Sequence, residues 1–336
     1  MDLFKNKTIL LTGGTGSFGN KFTEILIKEH NFKSLRIFSR GEKKQLDMMK
    51  RFDDDRLRFF IGDVRDEKRL HRAMTDVEII VHAAALKQVP SCEYNPIEAV
   101  RTNIDGAVNV IDAAIDNGVD KIMAISTDKA VHPVNLYGAT KMTAEKLFIQ
   151  GNSYSGYDRT RYSKFSCVRY GNVIGSRGSV IPLFLEQKKS GTLTITDEKM
   201  TRFWITLEQG VRFVIKCLDM MKGGEIFVPK ISSMNIMDLA DAIAPNSKKK
   251  IIGIRPGEKI HEILLTEDEA RHSEEYDDFF AIEPEHHCWL TRLKKDEKLK
   301  GKPLNKDFSY ASNKNTQWLT KKELNDAINE LDLSIT

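Results

Sequence analysis

The chain has 336 residues, and its 52 Lys and Arg against 48 Asp and Glu leave a formal charge of only +4. Its 40% hydrophobic and 30% charged content is ordinary for a globular chain, too balanced in sign for one held to nucleic acid or a membrane surface by bulk charge. The length suits one large α/β domain or two lobes with ample core.

Cys92, Cys167, Cys217 and Cys288 stand far apart, with no Cys-x-x-Cys or Cys/His ligand spacing, which fits a reduced cytosolic chain without a zinc site. The opening MDLFKNKTILLTGG has only a short apolar run before its glycines, so it reads as neither signal peptide nor anchor. No apolar stretch approaches the roughly 20 residues a membrane helix needs. The expectation is a soluble, cytoplasmic protein.

Thr8 to Thr12 (TILLT) predicts a buried strand, leading into Gly13-Gly14-Thr15-Gly16-Ser17-Phe18-Gly19; Phe22, Ile25 and Leu26 then recur at helical spacing. Strand, glycine turn and helix in that order form a dinucleotide-binding start. Gly14, Gly16 and Gly19 satisfy G-x-G-x-x-G, and Gly13, Gly16 and Gly19 the G-x-x-G-x-x-G variant. Glycines there let the backbone approach a pyrophosphate, which sits on the free N–H groups of the helix N-terminus. Residues 35–38 form the next strand, ending in Ser39-Arg40 with Lys43 and Lys44 beyond. An NAD site usually carries an acid here for the ribose 2′-hydroxyl; a hydroxyl and cations favour the 2′-phosphate of NADP, the alternative being a solvated basic helix start.

A third strand, 57–61, precedes Gly62-Asp63-Val64, where a carboxylate can meet an adenine amino group. The fourth, 78–82, runs into Ala83-Ala84-Ala85, small residues that let a cofactor lie against the main chain. His82 reads as a packed strand-end residue rather than a catalytic histidine. Lys87 lies within reach of a bound anion. Residues 97–117 predict one long amphipathic helix containing Asn103, with Gly118 as its C-cap. Successive strand–helix units force a parallel sheet, whose ligands bind beyond the carboxyl ends of the strands. A fifth strand, 122–125, thus delivers Ser126 to Lys141 (STDKAVHPVNLYGATK) to the cofactor's side, Thr127 included.

Residues 154–164 read as a polar surface loop and 165–169 as a sixth strand, ending in Tyr170-Gly171-Asn172-Val173. The texture then changes, with shorter strands at 193–196, 224–228 and 250–254. Thr206 with Gln209, and Thr320 with Glu323, make capping boxes, and Leu319 with Leu324 a hydrophobic staple. Arg177, Arg202 and Arg255 present planar forks that match a diphosphate, the alternative being surface salt bridges. The lysine-rich residues 292–306 read as a solvated loop.

Tyr137-x-x-x-Lys141 puts two side chains one helical turn apart on one face. An ammonium at Lys141 would lower the Tyr137 phenol and bond a nicotinamide ribose, letting the tyrosine take a substrate proton as hydride leaves. With the glycine turn upstream, the chain resembles the extended short-chain dehydrogenase/reductase family over nearly its whole length. STDKAVHPVNLYGATK, AALKQVP, RYGNVIGSRGSV, MTRFWIT, GGEIFVPK and GIRPGEK narrow the resemblance to the inverting UDP-N-acetylglucosamine 4,6-dehydratases of pseudaminic acid biosynthesis, which decorates flagellin and other surface glycans.

The resemblance implies a Rossmann-type doubly wound parallel α/β sheet over residues 1–175, with some later segments returning to it. A smaller α/β lobe for the UDP-sugar follows over 176–285, and an extension over 286–336. It implies a hydro-lyase acting on UDP-N-acetylglucosamine through tightly held, recycling NADP, as a homo-oligomer (dimer or hexamer). Oxidation at carbon 4 acidifies the proton at carbon 5, a base removes it, water leaves from carbon 6, and hydride returns there. By resemblance Lys129 is the carbon 5 base and Asp128 its proton-shuttling partner, which requires Lys129 to have a lowered pKa. Retaining sugar-nucleotide dehydratases carry Asp-Glu at these two places. Tyr137 or a water would reprotonate carbon 5 from the other face. Gly13, Thr15, Gly16, Ser17, Phe18, Gly19, Ser39, Arg40, Lys43, Asp63, Val64, Ala84, Asn103, Tyr137, Lys141 and Val173 match the cofactor side. Lys87, Thr127, Asn172, Arg177, Val180, Thr194, Arg202, Arg255 and Glu258 match the nucleotide-sugar side. The rival readings are a UDP-sugar 4-epimerase and a non-catalytic NADP-sensing protein.

Overall fold

The computed structural model describes residues 2–155, 162–176, 178–285 and 301–330. The first half alternates strands and helices: β1 (Thr8–Thr12), α1 (Ser17–Glu29), β2 (Ser34–Ser39), α2 (Glu42–Phe52), β3 (Leu57–Ile61), α3 (Glu67–Met74) and β4 (Ile79–His82). Then come α4 (Val89–Tyr94), α5 (Pro96–Val100), a π turn (Arg101–Asp105), α6 (Gly106–Asp116), β5 (Lys121–Thr127), a 3-10 turn (Asp128–Ala130), α7 (Leu136–Tyr154) and β6 (Lys164–Tyr170). The second half runs β7 (Asn172–Val173), α8 (Val180–Lys188), β8 (Thr192–Ile195), β9 (Thr201–Ile205), α9 (Leu207–Met220), β10 (Ile226–Pro229), β11 (Ser232–Asn235) and α10 (Ile236–Ile243). It continues with β12 (Lys248–Ile251), β13 (Ile263–Leu265), α11 (Glu267–Ala270), β14 (Ser273–Glu275), β15 (Phe279–Ile282), β16 (Lys302–Pro303), β17 (Tyr310–Ala311) and α12 (Lys321–Asn329).

One sheet has the order β3-β2-β1-β4-β5-β6-β10-β15-β14-β16. The strands from β3 to β10 pair in parallel, and β15, β14 and β16 add antiparallel at the far edge. Helices cover central parallel strands on both faces, which is why β1, β4 and β10 are apolar runs buried along their whole length. From β1 the chain goes out to β2 and β3 and then returns to β4 on the other side, so the strand order reverses between β1 and β4. Thr12 pairs with both Phe38 and His82 there, which puts the mouth of the reversal beside the glycine turn.

A second apolar cluster, with Ile181, Phe184, Leu193, Trp204, Met234, Leu239 and Leu324, is separate from the core under the main sheet. It is wrapped by α8, α10 and α12 and by the short sheets β7-β9-β11 and β8-β12. Both expected capping boxes form, and Leu324 is fully buried with Leu319 packed against the same cluster.

The expected helix over 97–117 forms as one unbroken helical run, α5, the π turn and α6 following each other without a gap from Pro96 to Asp116. What the periodicity did not show is that it widens at the π turn, whose Asn103 is buried, Oδ1 accepting from Leu86 N at 2.8 Å and Nδ2 donating to Leu86 O at 2.9 Å. Gly118 does close it, in a Schellman turn with φ 65° and a Val119 N to Ala114 O bond of 2.9 Å. The strand expected at 250–254 sits instead at 248–251, where it pairs in parallel with β8; the following residues leave for the edge of the cavity described below. Residues 156–161 of the expected polar loop, and most of the lysine-rich run, lie outside the described residues. Among the described residues no helix is long and apolar enough to cross a membrane.

Candidate active site

A cavity of about 1040 Å³ runs from the glycine turn along the carboxyl ends of the strands to the second apolar cluster. Small-molecule pockets run roughly 300–1,000 Å³, so this one is at the large end, and its length suits extended ligands.

At one end the walls are Gly13, Thr15, Gly16, Ser17, Phe18, Ser39, Arg40, Asp63, Val64 and Ala84. Gly13 has φ 67°, and a Cβ on it would lie 2.8 Å from Ala84 N, so only glycine permits this approach of turn to strand end. Gly19 does not line the cavity; a Cβ there would overlap the Gly14 carbonyl, so its role is to close the turn onto α1. Gly16 caps α1 without a side-chain bond, leaving the helix start to backbone N–H groups. Arg40 Nη1 lies 3.9 Å from Asp63 Oδ2 and Arg65 Nη2 only 2.7 Å from the same oxygen. Burial works against the Asp63 carboxylate, yet Arg65 and Arg40 hold its pKa below the usual range. Lys43 does not reach the cavity; Lys44, next on α2, does. Asn103 is likewise absent from the wall, its amide spent on Leu86 and, at 3.0 Å, on Thr140 Oγ1.

In the middle, β5 ends by feeding a 3-10 turn. Thr127 starts that turn, Oγ1 accepting from Lys129 N at 3.3 Å and donating to Asp128 Oδ1 at 2.9 Å. Lys129 Nζ donates to the same Asp128 oxygen at 3.1 Å and lies 3.5 Å from Glu262 Oε1. Helix α7 backs directly onto the turn, since a Cβ on Gly138 would overlap the Lys129 carbonyl. Asn135 fixes its start, Oδ1 accepting from Gly138 N at 2.7 Å while Nδ2 donates to Gly257 O at 2.8 Å. Tyr137 and Lys141 both face the cavity, with Lys141 Nζ donating to Ile125 O at 2.7 Å.

The electrostatics differ from expectation in two places. Burial pushes the Tyr137 phenol up to about 12; the cation working downward on it is Lys129 rather than Lys141. Burial would lower Lys129, but Asp128 and Glu262 outweigh it and raise its pKa, so its ammonium is held. Burial raises Asp128, with Lys129 opposing and Glu262 reinforcing the shift. Lys141, meanwhile, is lowered by burial. His82 is packed as expected, 2% exposed, with Nδ1 2.8 Å from Thr12 Oγ1 and its ring against Phe148.

At the far end Lys87, Asn172, Val173, Val180, Thr194, Arg202, Arg255 and Glu258 line the wall; Arg177 lies outside the described residues. Thr194 Oγ1 accepts from Gln187 Nε2 at 2.9 Å. Arg255 is exposed and pairs with Glu258 at 2.9 Å. Arg202 is buried, its two terminal nitrogens donating to the carbonyls of Thr201, Lys259 and Ile260, so its fork is spent on the main chain. Glu262, with no local signal in the sequence, is the residue that inspection of motifs missed.

Thr102 Oγ1, Ser126 Oγ, Asp128 Oδ2, Asn172 Oδ1, Ser179 Oγ and Glu258 Oε2 are buried without a hydrogen-bond partner and belong to residues lining this cavity, whereas Ser34 Oγ, also unmet, lies away from it. Unmet buried groups each cost about 1–3 kcal/mol, so their concentration here fits a wall built for polar ligands.

The model of a polysaccharide biosynthesis protein family matches residues 9–284. This chain belongs to that family. It is 50% identical, over 98% of its length and 99% of the relative's, to a Campylobacter jejuni protein (strain 81-176) named UDP-N-acetylglucosamine 4,6-dehydratase (inverting). A Rickettsia canadensis protein named UDP-glucose 4-epimerase is 46% identical over 83% of this chain and 84% of its own. The solved structure of Pen from Bacillus thuringiensis superposes with a TM-score of 0.88 at 38% identity, covering 98% of this chain and 99% of that one. The motif resemblance is thereby borne out: this polysaccharide biosynthesis protein family member is similar along nearly its entire length, C-terminal extension included, to a protein named as an inverting dehydratase.

Proposed function

We propose that the protein is a UDP-N-acetylglucosamine 4,6-dehydratase that inverts carbon 5, giving UDP-2-acetamido-2,6-dideoxy-beta-L-arabino-hex-4-ulose as the first step of pseudaminic acid biosynthesis. The observation that carries this reading is the Asp128–Lys129 pair, Asp128 buried and Lys129 half-buried, beside Tyr137 and Lys141 in one long cavity. The 50% identity to a protein of that name supports it.

Gly13, Gly16, Ser17, Arg40, Asp63 and Ala84 would hold NADP, the exposed Arg40 and the nearby Lys44 favouring a 2′-phosphate. When bound, the nicotinamide supplies a temporary hydride acceptor for carbon 4 and returns the hydride to carbon 6. Tyr137 takes the proton of the carbon 4 hydroxyl as its phenolate, a form that burial disfavours by pushing the phenol up to about 12 and that the Lys129 ammonium favours. Lys129 and Asp128 then act as one unit. Moving a single proton along their 3.1 Å hydrogen bond, from Nζ to Oδ1, yields an amine and a carboxylic acid with no change in net charge. The amine removes the carbon 5 proton and the acid protonates the departing carbon 6 hydroxyl. Burial, which raises Asp128, makes the acid form accessible. Work in the cytoplasm as a homo-oligomer completes the reading; Tyr94 and Ile97, 88% and 61% exposed on α4 and α5, supply apolar surface for self-association.

Proton NMR of UDP-N-acetylglucosamine incubated with the protein tests this. A new carbon 6 methyl doublet is the expected result. The 46% identity to a protein named as an epimerase makes the alternative concrete: UDP-N-acetylgalactosamine appearing without that doublet would show epimerisation instead. Releasing the bound cofactor and weighing it by mass spectrometry distinguishes NADP from NAD.

A further inference from the structure

Glu262 immediately precedes β13 and is 2% exposed, and Lys129 Nζ lies within ion-pair distance of both it and Asp128, at 3.5 and 3.1 Å. Its Oε1 is 3.5 Å from Lys129 Nζ and 3.9 Å from Arg202 Nε, and Lys259 Nζ stands 3.3 Å from Oε2. Its backbone is clamped: Glu262 N donates to Ser312 Oγ at 3.0 Å, and Ser312 N donates to Glu262 O at 2.8 Å. The carboxylate is therefore fixed in position and surrounded by three cations. Asp128 has only one cation, Lys129, and its Oδ2 faces the cavity wall without a partner.

We propose that Glu262 is the fixed counter-charge of the catalytic pair, a positioning residue that holds Lys129 Nζ and leaves Asp128 as the carboxylate that carries the mobile proton. This rests on the dehydratase reading and adds to it a third acid with no role in the motif resemblance. Two carboxylates flanking one ammonium would otherwise compete for the proton. Arg202 and Lys259 break the tie, because they stabilise negative charge on Glu262 and have no counterpart at Asp128. Directions of titration agree: burial works to raise Glu262, but Lys129, Arg202 and Lys259 bring it below its usual range, while Asp128 goes up. The other titratable groups on the surrounding elements are Tyr137 on α7 and His261, whose Nδ1 is 2.8 Å from Thr201 Oγ1.

The charge has a measurable consequence in the free protein. Competitive labelling with acetic anhydride, read at the Lys129 peptide by mass spectrometry across pH, gives the midpoint of its deprotonation without any turnover. Glu262→Gln should lower that midpoint by about one pH unit or more, a tenfold gain in amine at a given pH. Glu262→Asp keeps the charge but withdraws it by one methylene, so it should give a smaller shift of the same sign, and it serves where the glutamine variant does not fold. In the dehydration assay, both limbs of the pH–rate profile should move to lower pH together, because the same charge raises Asp128 and Lys129. A folded variant that loses rate while labelling midpoint and limbs stay in place would overturn the proposal and leave Glu262 a structural residue. Wild-type protein that forms no dehydrated sugar while the labelling midpoint still moves would instead sink the dehydratase reading and leave the Glu262–Lys129 coupling standing.

Discussion

Asp128 is fully buried and Lys129 reaches it from the next position along the chain, an arrangement that strand or turn stability does not require. In the proposed reaction each supplies one proton transfer, so removing either should cost about 10²- to 10⁴-fold in kcat. Lys129→Met preserves the stem's volume, and Asp128→Asn still accepts from Thr127. Both should therefore retain bound cofactor at wild-type stoichiometry, since Tyr137, Lys141 and the glycine turn are untouched. Unchanged turnover by Lys129→Met would remove it from the role of base. His82 makes a separate prediction about stability. Its ordinary value is 6.5 and burial drives it to about 3 in the fold. Between those values the unfolded chain binds a proton that the folded one refuses, so the contribution present above pH 6.5 is lost as pH falls toward 3. The full effect is on the order of a few kcal/mol. His82→Asn can keep the Thr12 bond without a titrating ring, and its Tm should fall less steeply than that of the wild type from pH 6.5 downward. Parallel slopes would contradict this.

At the scale of elements, α7 does more than carry Tyr137 and Lys141. Its N-cap Asn135 ties the helix start to Gly257, whose φ of 77° and 2.8 Å bond to Asn135 Nδ2 bring the 255–258 segment over the cavity. Asn135→Ala should cost about 1 kcal/mol from the lost cap, read by chemical denaturation. It should also raise KM for the UDP-sugar more than it lowers kcat, because the segment bearing Arg255 and Glu258 loses its tether while the Asp128–Lys129 turn keeps its own bonds. An effect confined to kcat would mean that Asn135 acts through Tyr137 instead. The features legible in sequence were of this local kind. The glycine turn, the Asp128-Lys129 step, the one-turn Tyr137/Lys141 spacing and the capping boxes each depend on residues within a few positions, where period and steric rules act directly. Less legible was the π turn at 101–105. It depends on Asn103 finding Leu86 and Thr140, two partners that no periodicity brings near.

For the molecule as a whole, what escaped the sequence is what long-range packing decides. The resemblance implied that later segments return to the main sheet but not that these are β10, β14, β15 and β16, and nothing local announced that Glu262 meets Lys129 across more than a hundred residues. The C-terminal extension is part of the same assembly. Its β17 pairs with β13, Ser312 clamps Glu262 and bonds Thr201 Oγ1 at 2.7 Å, and α12 inserts Leu324 into the second apolar cluster. Two point substitutions in this extension should therefore behave differently. Leu324→Ala removes a fully buried side chain from the first turn of α12 and should destabilise by about 2–5 kcal/mol, with a wild-type pH–rate profile while folded. Ser312→Ala leaves Glu262 N and Thr201 Oγ1 without their shared partner, at a cost of about 1–3 kcal/mol. Because the loosened residue is the one that holds Lys129, it should also lower kcat at least tenfold at a temperature where the protein remains folded. Melting curves and rates on the same samples separate the two effects. If Ser312→Ala proved as active per folded molecule as Leu324→Ala, the extension would be a brace for the fold alone, with no hold on the site.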